Sequence, residues 1–63
     1  MIGFMVDQEE IARVAKGMLE ETANEYVSMG IMLLAAKLCF PEAYETDRPK
    51  AVDWMIHRIE ALP

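Results

Sequence analysis

The chain has one cysteine, one histidine, three glycines, three prolines and five aromatic side chains among its 63 residues. Each scarcity excludes something. A single cysteine forms no internal disulfide, and Cys39 with His57 falls short of the four Cys and His ligands that a structural zinc site draws on. Isolated Gly3, Gly17 and Gly30 supply neither a phosphate loop nor a dinucleotide fingerprint. Basic residues are few as well: six Lys and Arg against eleven Asp and Glu give a net charge of −5. Binding to nucleic acid or to an anionic membrane surface rests on clustered Lys and Arg, and no such cluster exists here. The longest apolar stretch, Met29 to Cys39 interrupted by Lys37, is too short for the ~20 residues of a membrane span. The opening Met1–Val6 has no basic region and gives way to Asp7, Glu9 and Glu10, which is not the pattern of a secretory signal. The expected compartment is cytoplasmic.

What the chain does have is apolar content, 54% of its residues. A domain of this size buries only about 60% of the surface of its unfolded chain, so its stability is marginal unless something supplements the core. With disulfide and zinc excluded, regular helix packing and oligomerisation remain.

The apolar pattern is helical throughout. Asp7 with Glu10 three residues later forms a capping-box signal, and Val6 can staple against Ile11. From there Ala12, Ala15, Leu19, Thr22, Tyr26, Met29, Leu33, Ala36 and Phe40 alternate steps of three and four. This spacing predicts one long helix over about 7–40, ended by Pro41, with a bend or break at Gly30 as the alternative. Residues 41–46 read as a turn or one helical turn. Thr46 or Asp47 then caps a second helix over about 47–61, with Val52, Met55, Ile56, Ile59 and Leu62 on its apolar face.

The fold class is therefore all-α, a single small domain built as a helical hairpin. Beyond Gly30 the long helix is apolar on its reverse side too, through Ile31, Met32, Leu34, Ala35, Leu38 and Cys39. One short helix covers one side only, so the expectation is a dimer that closes a four-helix bundle. The alternative is a compact three-helix monomer broken near Gly30. Leu19, Tyr26, Met29, Leu33, Leu34, Leu38 and Phe40 are the candidate core or dimer-interface residues.

Chemistry-bearing residues are sparse. His57 lies four residues after Asp53 on the second helix, a spacing that lets them touch but supplies no metal site without further ligands. Cys39 is surrounded by apolar residues and reads as a buried small hydrophobe. The expectation is a protein that is not an enzyme and has no cofactor or metal. Trp54 projects about 160° from Val52 and Ile56, beside His57 and Arg58, so it either anchors a partner or folds onto Tyr44. Residues 7–25 carry six acidic and two basic side chains. Glu20, Glu21 and Glu25 in that stretch suit a partner with a basic surface. The function expected is a homodimeric interaction module, a regulator or inhibitor that binds another protein. The alternative is a structural subunit of a hetero-complex, with the apolar 31–40 segment docked into a different chain.

Overall fold

The computed structural model describes residues 7–63; Val6, and with it the proposed staple on Ile11, lies outside the described residues. Four helices follow one another: α1 Gln8–Glu21, α2 Glu25–Cys39, α3 Pro41–Thr46 and α4 Arg48–Glu60. Asp7 caps α1 as its sequence signal requires, accepting the Glu10 N–H at 3.1 Å. Glu10's own carboxylate accepts from Arg13 Nη1 at 3.1 Å.

The continuous helix expected over 7–40 is broken, and the break falls at Thr22–Asn24, not at Gly30. Two local forces stop α1 there. Glu20 and Glu21 place negative charge at the negative end of the helix dipole, and no basic residue occupies the last turn. Asn24 then restarts the helix: its Oδ1 accepts the N–H groups of Tyr26 at 2.8 Å and Val27 at 3.2 Å. Between them Thr22 is extended, and its Oγ1 accepts the Asn24 N–H at 3.2 Å. Gly30 lies inside α2 and interrupts nothing.

The break turns the chain back on itself. The side-chain amide of Gln8 donates to the Cys39 carbonyl at 3.0 Å, which pins the start of α1 beside the end of α2 and sets the two helices antiparallel. Phe40, restricted by the proline that follows, ends α2; Pro41 then opens α3, the stretch expected to be a turn or one helical turn. Asp47 caps α4 through the Lys50 N–H at 3.3 Å, with Pro49 in the first turn.

The core is made of small side chains. Ala12 and Ala15 of α1, Ala35, Ala36 and Cys39 of α2, and Ala51 of α4 are buried, and Met55 is the one large side chain fully excluded from solvent among the described residues. Alanines at helix contacts let the axes approach closely, so the volume to be filled is small and one flexible thioether fills it. Ile11, Ile31, Met32, Phe40, Val52, Ile59 and Leu62 close over this centre. No helix among the described residues is long and apolar enough to cross a membrane.

Candidate functional site

The all-apolar second half of α2 is covered by α4 on one side and α1 on another, and among the described residues nothing covers the third side. An apolar groove of about 230 Å³ runs between α1 and α2 there. Ile11, Val14 and Met18 form one wall, Ile31, Leu34 and Leu38 the other, and Ala15 and Ala35 also line it. Glu10 is the one charged residue in the lining. Val14, Met18, Leu34 and Leu38 are each about half exposed, at 53%, 51%, 59% and 48%. Val27, one turn before Ile31, extends the α2 stripe and is 49% exposed. Four large apolar side chains held half in water on one face exceed the scattered exposure normal for a small protein.

Of the interface residues expected from sequence, Leu34 and Leu38 are in this groove. Leu19 and Leu33 are half-buried outside it, and Phe40 is half-buried against Trp54. Tyr26 and Met29 are 84% and 58% exposed and do not line it, because the helix restarts at Asn24 and the stripe drawn through both halves loses its phase. Val14 and Ile31 were not in that stripe. Their signal is the matched spacing 11, 14, 18 and 31, 34, 38, which becomes visible once the two segments are treated as separate helices.

A second apolar feature lies at the other end of the molecule. Trp54, 44% exposed, stands edge-on to Phe40 with 5.4 Å between ring centroids, and Lys50 Nζ lies 5.8 Å from its ring. Of the two placements weighed for Trp54, packing on Tyr44 is therefore replaced by packing on Phe40. Tyr44 is stacked by the Arg48 guanidinium at 4.1 Å, with Lys37 at 5.9 Å. Phe40 and Trp54 separate two shallow depressions, one reaching His57, Arg58 and Ala61, the other Cys39 and Glu42.

The titratable candidates do not converge. His57 Nδ1 lies 2.9 Å from the Asp53 carbonyl oxygen and 3.6 Å from its carboxylate, with both side chains about two-thirds exposed. Cys39 is 6% exposed; burial pushes its thiol pKa up, and the positive charge of Arg58 offsets part of that rise. No three His, Cys, Asp or Glu side chains are grouped to hold a metal ion among the described residues. The acidic stretch is also divided. Glu9 and Glu10 are both engaged by Arg13, and Glu20 shares a shallow recess with Arg13 and Lys16. Glu21 and Glu25, expected one turn apart on a single helix, stand on either side of the break, where Glu25 occupies the favourable first turn of α2.

Comparison with protein families, with curated proteins and with solved structures finds no match for this chain.

Proposed function

We propose that this chain is a non-enzymatic interaction module: it associates with itself through the apolar α1–α2 face and regulates or inhibits another protein through the surface left outside. The observation that carries the reading is the groove. Val14, Met18, Leu34 and Leu38 are half in water although the other described residues are folded around the alanine centre, and a second chain would remove them from water. The outer surface would then include the Phe40–Trp54 ridge, with His57 and Arg58 beside it, and the acidic Glu20 and Glu25, with Glu21 at its border with the self-association face. An exposed tryptophan next to arginine is the composition enriched at binding hot spots, and the carboxylates favour a basic partner. A non-enzymatic role is favoured because the thiol is desolvated and the histidine is exposed beside a main-chain oxygen, so neither activates the other.

The test is solution mass by light scattering across a wide range of concentration, for the natural chain and for Leu34→Glu. The expected result is a dimer for the natural chain and a monomer of unchanged helicity for the variant. A natural chain that stays monomeric at every concentration overturns the reading. Aggregation relieved only by co-expression with a different chain would instead favour the structural subunit.

A further inference from the structure

The self-association just proposed leaves the arrangement of the two copies open, and the edges of the groove select one. Because Gln8 is tied to Cys39 and the helices run antiparallel, each step along α1 is matched by one step back along α2. Glu10 is therefore level with Lys37, Gly17 with Gly30, and Glu21 with Tyr26. Helical spacing puts Glu10, Gly17 and Glu21 along the outer edge of the α1 stripe, and Tyr26, Gly30 and Lys37 along the outer edge of the α2 stripe. Within one chain these edges lie on opposite sides of a two-helix layer and cannot meet.

We infer that the groove is occupied by a second copy of this chain, related by a twofold axis parallel to α1 and α2, so that α1 of each protomer lies against α2 of its partner. Charge decides between the two ways of stacking the layers. An axis across the helices would set the acidic edge of α1, with Glu10 and Glu21, against the same edge of the other copy. Arg13, the nearby cation, is already shared between Glu9 and Glu10 and leaves Glu21 without a basic partner on that edge among the described residues, so like charges opposite one another disfavour that arrangement. An axis along the helices brings Glu10 of one copy level with Lys37 of the other, and Glu21 level with Tyr26, twice in each dimer. The same axis aligns Gly17 with Gly30. Within one protomer a Cβ added to either meets nothing within 4 Å, Gly17 bordering only the shallow recess of Arg13, Lys16 and Glu20, so neither glycine is needed for a close approach there. Glycine in the middle of a helix weakens it relative to alanine, and here it leaves both backbones bare where α1 and the partner's α2 come closest. The apolar stripes 11, 14, 18 and 27, 31, 34, 38 then interdigitate as the centre of a four-helix bundle, with α3 and α4 outside it.

The experiment is cysteine cross-linking at the edges, where Cys39, buried, does not compete. Glu10→Cys and Lys37→Cys chains are oxidised separately and as a mixture. The expected result is a cross-linked dimer in the mixture only. Cross-linking of Glu10→Cys with itself, or none in the mixture while the mass remains that of a dimer, overturns the arrangement and leaves self-association standing. A natural chain that is monomeric overturns both, and the groove is then filled by a different chain or by another segment of its own. Two further measurements keep the test independent of cross-linking chemistry. Glu10→Lys and Lys37→Glu each raise the dimer dissociation constant about fivefold, and the double variant restores it. Gly17→Ala raises the dissociation constant about tenfold while increasing helicity, and tighter association in that variant counts against the close contact.

Discussion

The ring of Trp54 meets Phe40 edge-on, with an angle of 71° between the planes, and this contact joins the end of α2 to the middle of α4 across the α3 turn. It leaves Trp54 44% exposed, so one side chain serves both packing and surface. Edge-to-face pairs contribute about 0.5–1.5 kcal/mol beyond area burial. A double-mutant cycle with Phe40→Leu and Trp54→Leu, read by urea denaturation, should return a coupling in that range. Trp54→Ala should retain dimer mass and helicity. A coupling near zero would make the ridge a purely external feature, and loss of folding on Trp54→Ala would return it to the core.

Asn24 is the residue on which the turn between α1 and α2 depends. Its side chain satisfies two N–H groups at the start of α2, so Asn24→Ala should lower stability by about 1 kcal/mol, and Asn24→Asp should cost much less. Because the alternative to the turn is a continued helix, Asn24→Ala should also raise helicity near the break. Amide exchange over residues 22–27 reads this directly, and greater protection there is the expected outcome.

Met55 is the only large side chain at zero exposure among the described residues, and the alanines around it have no side chain that can move in to replace it. Met55→Ala should therefore cost at the upper part of the usual range for this truncation, about 3–5 kcal/mol, enough to unfold a chain of this size. Met55→Leu, close in volume, should cost less than about 1.5 kcal/mol. Thermal denaturation of the two variants compares them. An alanine variant as stable as the leucine one would mean that the helices close up around the void.

What could be read in the sequence was what depends on a few adjacent residues. Asp7, the Phe40–Pro41 stop and Asp47 are caps and steric stops whose physics is local, and all three act where expected. Cys39 and Met55 were legible as buried because apolar neighbours surround them at helical spacing. The break at Thr22–Asn24 was not, since the apolar period runs through it without a slip. Two short helices whose apolar residues keep a helical spacing across the break look the same as one long one. The unbroken spacing hides the groove, whose two stripes belong to separate antiparallel helices, while Tyr26 and Met29 on the same spacing are exposed outside its lining. Ala35 and Ala51 carried almost no signal of their central place. An alanine is hardly more apolar at a contact than elsewhere, and its role there is to be small.

Cys39 tests the burial of the α2–α4 contact without a change of sequence. Its thiol pKa is raised by burial, so at neutral pH the folded chain holds it protonated and should be alkylated far more slowly than the same chain in denaturant. The folded state keeps this proton at a pH where the unfolded chain has released it. The contribution to stability is thus complete below the ordinary thiol range and declines as pH rises through that range toward the raised value. Arg58 supplies the opposing influence, because its positive charge favours the thiolate. Arg58→Gln should therefore push the pKa further up and slow alkylation of the folded protein at pH 8. Were the variant to react faster, Arg58 would be acting chiefly as a cover over Cys39, and access rather than charge would set the rate.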